Sequence, residues 1–381
     1  MDPSAFGPKS PGKLVPVSGV RDVTHAFCPD PLPPDWTFPA GLWPLLTEAR
    51  VALADLNGVG RYLPNPDLLL RPLQNREAQK SSSLEGTYTE PEEQMLFELE
   101  PELPRNVADP RNARREVSNY ARALRLRREK DDLPLSWRLT KTLHEVLMDG
   151  VRGSDRAPGE FRRLQNQVGR PPRFVPPPAN LVPDLLDNFE KYLHADDGLD
   201  PLVRSFVAHY QFETIHPFMD GNGRVGRLLL AISIEEWCEL SAPWLYMSDF
   251  FDRNKDDYID LMFAVSSRRD WDSWIRFCLE GVVVQAEDTA ARCGALIELN
   301  RDFHERVNQM GASTRLSALV DELFLNPMVR VTDARDRFDV TYPTARSDLR
   351  KLERAGIVRL LKGAPQLTYF SAPILTTIYG D

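Results

Sequence analysis

The sequence predicts a mainly α fold with one short β-hairpin and a small helix-and-strand unit at its C-terminal end. Three observations carry this. Apolar residues recur at three- and four-residue steps along most of the 381 residues. Phe206 to Phe212, a polar loop from His216 to Arg227, and Leu228 to Ile232 read as helix, tight loop, helix. From residue 314 onward, helical segments give way to two short runs rich in branched and aromatic residues. A composition of 42% hydrophobic and 27% charged residues suffices for two or three domains with cores of their own.

Residues 1–40 are proline-rich and read as an extended, partly disordered segment that wraps the body. Helical patterning begins near Trp43, with a turn expected at Asn57-Gly58-Val59-Gly60. Asn65-Pro66-Asp67 starts the next helix, and Asn75 to Leu84 a further one ending in Glu85-Gly86. Thr87 to Pro110, rich in Pro and Glu, reads as loop. Asn112 to Lys130 is a charged, periodic surface helix, and Trp137 to Met148 follows it. Gly159 to Gly169 has the residues of a short hairpin with Gly ends. Asp184 to His194, Pro201 to Thr214, Leu228 to Cys238 and Asp249 to Phe263 are helices, and Asp270 to Asn308 is a long helical stretch with possible interruptions. The expected division is 1–40 extension, 41–110 N-terminal helical region, 111–281 core, 282–313 helical linker and 314–381 C-terminal unit.

The loop His216-Pro217-Phe218-Met219-Asp220-Gly221-Asn222-Gly223-Arg224-Val225-Gly226-Arg227 concentrates the chemistry. It opens onto a helix N-terminus, where free N–H groups and the dipole suit a phosphate. Gly221 and Gly223 permit an anion nest, and Asn222 can donate to a phosphate oxygen. Asp220 offers a hard oxygen ligand for Mg2+. Arg224 and Arg227, three apart, face one ligand and can bind phosphate bidentately. His216 is the natural general base. A connector turn with solvated arginines explains any one of these residues, but not the set.

These residues resemble the Fic family signature, HxFx(D/E)GNGRxxR, at every fixed position. Leu143 to Gly153, Pro158 to Arg162, and Phe174 to Pro178 resemble the helix, flap and extended stretch that precede it, so the likeness runs from about Phe38 to Gly281. The resemblance implies a Fic-type helical bundle that moves AMP from ATP to a protein hydroxyl, on a target or on itself. His216 would be the base and Asp220 would hold Mg2+ (or Mn2+). Gly221, Asn222, Gly223, Arg224, Val225, Gly226 and Arg227 would form the nucleotide-binding loop. Tyr258 and Asn254, one helical turn apart, would wall the base pocket; a core role for Tyr258 is equally compatible. The flap residues Glu160, Phe161, Arg162, Arg163 and Leu164 would dock the target by strand addition. Ser81-Ser82-Ser83-Leu84-Glu85-Gly86 resembles the family's inhibitory pattern (S/T)xxxE(G/N). By that reading Ser81 and Glu85 would occupy Arg227, which otherwise holds the outer phosphate. Glu85 orienting water to remove AMP from a target is the hydrolytic alternative. The same resemblance suggests a homodimer that shields the inhibitory segment.

The last unit resembles a winged helix-turn-helix. Its third helix, Pro343 to Ala355, is capped by Thr341 and carries Arg346, Arg350, Lys351 and Arg354. Residues 314–381 hold ten Lys/Arg and eight Asp/Glu, a net of +2 against −9 for the chain. DNA, protein docking and dimerisation are all compatible with it, and a DNA-binding regulator with a nucleotide-sensing domain is the rival to the enzyme. His209 and His216 lie about 10 Å apart along a helix axis, too far to share one zinc. His209 and His144 read as hydrogen-bonded packing residues. The four cysteines, Cys28, Cys238, Cys278 and Cys293, form no CxxC pair and suit a cytoplasmic, reducing setting. No apolar run is long enough to span a membrane.

Overall fold

The computed structural model describes every residue except 18–22, 62–64, 103, 107–108, 130–132, 152–155, 170–171, 312–313, 365 and 381. Arg152 and Gly153 of the quoted stretch, Lys130 and Pro365 therefore lie outside the described residues.

The chain is mainly α. Near the N-terminus β1 (Gly12–Pro16) and β2 (His25–Pro29) form an antiparallel pair, in a register that sets Gly12 opposite Pro29 and Pro16 opposite His25. The described part of this segment forms this strand pair, where an extended or partly disordered segment was expected. The reason is aromatic packing: Phe27 is fully buried, stacked by Phe6 and met edge-on by Phe174.

Helix α1 (Trp43–Arg61) runs through the expected turn at Asn57–Gly60. Gly60 is there for close approach: a Cβ on it would lie 2.0 Å from the Trp244 indole. Helix α2 (Asp67–Leu84) is one helix with Pro72 inside it, not two. Within the expected loop, Glu90-Pro91 starts α3 (Pro91–Leu99), with proline at the first helical position. Helix α4 (Arg111–Glu129) was expected on the surface, yet it buries Val117, Tyr120, Ala121, Ala123 and Leu124. Most of its charged residues lie on the other face, Glu116 being buried, and that strong amphipathicity disguised a core element.

Helices α5 (Trp137–Leu147), α6 (Val182–His194), α7 (Pro201–Ile215) and α8 (Asn222–Trp237) follow, then α9 (Ser248–Arg253) and α10 (Lys255–Arg268). Helix α7 starts cleanly because Asp200 accepts from the Leu202 N–H and Pro201 occupies the first turn. Helices α7 and α8 pack against each other as a buried hairpin, with Phe206, Phe212, Leu228 and Ile234 at 0–1% exposure. Helix α11 (Trp271–Gln309) is continuous over 39 residues and lies along α1.

The C-terminal unit runs α12 (Thr314–Leu325), β3 (Met328–Arg330), α13 (Val331–Phe338), α14 (Tyr342–Arg354), β4 (Arg359–Leu360), β5 (Thr368–Phe370) and α15 (Ala372–Tyr379). Its sheet order is β3-β5-β4, all antiparallel. The three helices and the two-stranded turn match the expected order. Strand β3 and helix α15 are additions.

The hairpin expected over Gly159–Gly169 is displaced along the chain. Its only β character among the described residues is one antiparallel bridge, Val168 to Phe174. No helix among the described residues is long and apolar enough to cross a membrane.

Candidate active site

The polar loop is shaped by two left-handed residues. His216 ends α7 with φ 51°, and Gly221 precedes α8 with φ 75°. A non-glycine residue at positive φ is strained and persists only where its surroundings fix it. Here they do. Arg162 Nε donates to the His216 carbonyl at 2.9 Å, and the Arg162 amide donates to the Pro217 carbonyl at 2.8 Å. Asn222 closes the loop, its Oδ1 accepting from the Phe218 N–H and its Nδ2 donating to the Phe218 carbonyl, both at 2.8 Å. The His144 ring stacks on Phe218 at 3.8 Å; its Nε2 donates to the Asp220 carbonyl at 3.0 Å and its Nδ1 accepts from the Gly159 N–H at 2.8 Å. Burial depresses the His144 pKa to about 4, so the ring is neutral and can bridge in this way.

His216 Nδ1 lies 3.2 Å from the Glu213 carbonyl and donates to it. That tautomer leaves Nε2 with a free lone pair. Burial, the largest effect, lowers the His216 pKa to about 4, so the base form dominates at neutral pH.

The first turn of α8 leaves the Asn222, Gly223 and Arg224 N–H groups without intrahelical acceptors. Glu85 stands over this turn. A Cβ built on Gly223 would lie 2.2 Å from Glu85 Oε1. Arg227, buried, donates from Nη2 to Glu85 Oε1 at 2.9 Å and to the Ser81 carbonyl at 2.8 Å, and from Nε to Ser81 Oγ at 2.8 Å. Burial works to raise the Glu85 pKa, but Arg227 and then Arg224 outweigh it and hold the carboxyl below its ordinary value. The second arginine is also engaged. Arg224 Nη1 meets Glu116 Oε2 at 3.3 Å, and Thr87 Oγ1 donates to the same oxygen at 2.9 Å. Carboxylates at the end of α2 and on α4 thus engage one guanidinium group each.

Asp220 Oδ1 accepts from the Gly221 N–H at 2.8 Å, and Oδ2 is 3.9 Å from Arg156. No group of three His, Cys, Asp or Glu that would hold a metal exists among the described residues. One half-exposed carboxylate fits a hard divalent cation that completes its shell with substrate phosphates and water.

Beside His216 opens an apolar pocket of about 120 Å³, walled by Val168, Phe174, Ile259, Met262 and Phe263, with Glu213 at its edge. Burial pushes the Glu213 carboxyl up to about 8, and its Oε1 has no hydrogen-bond partner among the described residues.

Several expected roles change. Tyr258 is turned into the core: its hydroxyl meets His209 Nε2 at 2.8 Å, and its ring stacks on Phe251 at 4.4 Å. Asn254 spends its amide on the Phe250 carbonyl. Neither Tyr258 nor Asn254 lines the pocket beside His216; Ile259, Met262 and Phe263 of the same helix do, and in the sequence only their apolarity marks them. Val225 is fully buried. Gly226 packs against Glu213, whose Oε1 would be 2.0 Å from a Cβ there, so it is a packing residue. The Asn222 side chain clips the loop instead of donating to a ligand. Arg162 is 4% exposed and spends four side-chain donors on the His216, Leu164, Pro177 and Ile215 carbonyls, so it positions the loop. Phe161 packs against Trp137 and Phe218, while Glu160, Arg163 and Leu164 remain exposed. His209 is a packing histidine, as expected, bonded to Tyr258 and to the Gly226 carbonyl.

Comparison with known proteins agrees with this geometry. Residues 43–127 match the Fic/DOC family N-terminal region, and residues 134–233 match the Fic/DOC family. A probable protein adenylyltransferase of Aquifex aeolicus is 47% identical over 90 residues, 24% of this chain and 26% of that protein. The protein adenylyltransferase Fic of Drosophila grimshawi is 43% identical over 74 residues, 19% of this chain and 15% of that protein. The chain thus spans about a quarter or less of these relatives. A Fic family protein from Desulfovibrio desulfuricans superposes with TM-score 0.56 at 22% identity, covering 88% of this chain and 97% of that one. A Fic domain containing signaling protein from Bacteroides thetaiotaomicron gives 0.52 at 18%, covering 65% and 97%. These two likenesses speak for the fold alone.

Proposed function

From the premise that this chain carries the Fic/DOC N-terminal region and the Fic/DOC domain in tandem, we propose that it is an autoinhibited protein adenylyltransferase. It would transfer AMP from ATP to a Ser, Thr or Tyr hydroxyl of a protein, itself included, and release pyrophosphate. The observation that carries the reading is a neutral His216, its Nε2 free, at the mouth of an apolar pocket and beside an unsatisfied helix N-terminus.

The chemistry follows from these groups. His216 Nε2 takes the proton of the attacking hydroxyl. The oxygen bonds to the α-phosphorus, and the bond from that phosphorus to the bridging oxygen of pyrophosphate breaks. The base lies in the pocket of Ile259, Met262 and Phe263. The amides of Asn222, Gly223 and Arg224 receive phosphate oxygens, and the two guanidinium groups hold the outer phosphates; such fixed donors carry most of the barrier lowering in phosphoryl transfer. A Mg2+ or Mn2+ ion at Asp220, when bound, would neutralise phosphate charge. Glu85 competes with the triphosphate for Arg227 and for the same helix turn, which accounts for autoinhibition.

A homodimer and a cytoplasmic setting rest on the family resemblance and the reduced cysteines, and light scattering on the full chain tests the first. The activity is tested with α-labelled ATP and Mg2+: label should enter protein, and His216→Ala should abolish it. Labelling that persists in His216→Ala assigns the chemistry elsewhere.

A further inference from the structure

The net charge of the C-terminal unit, +2, conceals an asymmetry. Its acids are mostly spent internally. Asp348 pairs with Arg315 and Lys351, Asp333 with Arg330, Asp336 with Arg335, and Glu322 with Arg337. The cations left without an acidic partner among the described residues are Arg346, Arg350, Arg354, Arg359 and Lys362. All five are exposed: Arg346, Arg350 and Arg354 on α14, Arg359 on β4 and Lys362 just after it.

Their placement is orderly. Arg346, Arg350 and Arg354 stand four apart, so they form one stripe along α14. The opposite face buries Ala345, Leu349 and Leu352, which fixes the stripe outward. The guanidinium of Arg354 donates from Nε to the Arg350 carbonyl, and Arg359 lies over the Phe370 ring at 4.5 Å, so both are held in place with donors to spare. Two acids face the same side: Glu353 on α14 and Asp339 at the end of α13. The balance stays positive, five against two. Helix α14 is the second helix of a compact pair with α13, closed by the Asp339 turn at φ 48°. Helix pairs of this kind present their second helix to the major groove, with flanking cations on the backbone.

We propose that the exposed stripe of α14, together with Arg359 on β4 and Lys362 just after it, binds duplex DNA. The helix enters the major groove. Arg346 and Arg350 sit deepest, and all five cations neutralise phosphates on either side of the groove. Charge complementarity selects this occupant: an unpaired cationic row on a projecting helix fits a polyanion, and an apolar protein partner would need the apolar patch that this face lacks. Its large exposed apolar side chains among the described residues are two, on different elements: Tyr342, 40% exposed at the start of α14, and Leu360, 39% exposed on β4.

The test uses the full chain and a labelled duplex of random sequence. Binding should be measurable near 50 mM salt and weaken by about 10²- to 10³-fold by about 200 mM, as expected for about five phosphate contacts. Arg346→Ala/Arg350→Ala should lower the salt slope by about two and weaken binding at every salt concentration. An A-form RNA duplex, whose major groove is too narrow for a helix, should bind more weakly. Thermal melting should match the parent, because both positions are exposed, and Arg359→Ala/Lys362→Ala checks the same face from the β4 side. No binding at low salt, unchanged binding in both double variants, or equal affinity for the RNA duplex would overturn the proposal.

Discussion

Glu85 Oε1 stands 2.9 Å from Arg227 Nη2, while Ser81, one helical turn earlier, accepts from Arg227 Nε at 2.8 Å. A buried cation is thus gripped from one helix by a carboxylate, a hydroxyl and a carbonyl. The Glu85 side chain remains 41% exposed, so the grip lies at the cleft surface and can be released without unfolding.

Ser81→Ala removes one neutral acceptor from Arg227. Such a bond to a charged group contributes about 1.5–3 kcal/mol, so basal AMP transfer should rise by about 10- to 150-fold. The rate of self-labelling reads this directly. A rate below wild type would mean that Ser81 supports the active arrangement instead.

The pH profile follows from the depressed His216 pKa. The working form is the neutral imidazole, and burial lowers the pKa to about 4. Activity is therefore lost as pH falls through that value, and kcat/KM of a released variant should stay flat well below pH 6.5. An acid limb centred near 6.5 would show an imidazole far better solvated than the structure has it.

Arg162→Lys probes loop positioning. Lysine cannot reproduce the fork that reaches the His216, Leu164, Pro177 and Ile215 carbonyls. We expect kcat to fall at least tenfold with little change in ATP binding. A loss confined to target KM would restore Arg162 to peptide docking.

The N-terminal segment braces the pocket beside His216. Phe6 meets Phe263 edge-on at 5.6 Å, the Phe27 N–H donates to the Val175 carbonyl, and Ser10 Oγ donates to the Ser266 carbonyl. An aromatic pair contributes about 0.5–1.5 kcal/mol, so Phe6→Ala should raise KM for ATP by about 2- to 10-fold and spare kcat. Unchanged KM would make the brace purely structural.

The site was legible where chemistry sits in consecutive residues. His216, Asp220, Gly223, Arg224 and Arg227 could be named because one loop carries them all. Glu85 was legible only through a pattern, since nothing local links it to a residue 142 positions away. The lining of the pocket beside His216 was not legible: Tyr258 and Ile259 differ by about 100° around a helix, and periodicity cannot say which apolar face meets a cavity. Gly60 looked like a turn, because sequence does not reveal that Trp244 will press on it. Arg162 looked like surface, because the carbonyls that bury it come from three separate segments.

The most direct measurement is intact-mass spectrometry of the full chain after incubation with Mg2+ and each nucleoside triphosphate. Wild type, Glu85→Gly and Glu85→Gly/His216→Ala should be compared. The account predicts little modification of wild type, an AMP adduct on Glu85→Gly that forms about tenfold faster or more, and none on the double variant. A Glu85→Gly protein that acquires no nucleotide from any triphosphate would contradict it.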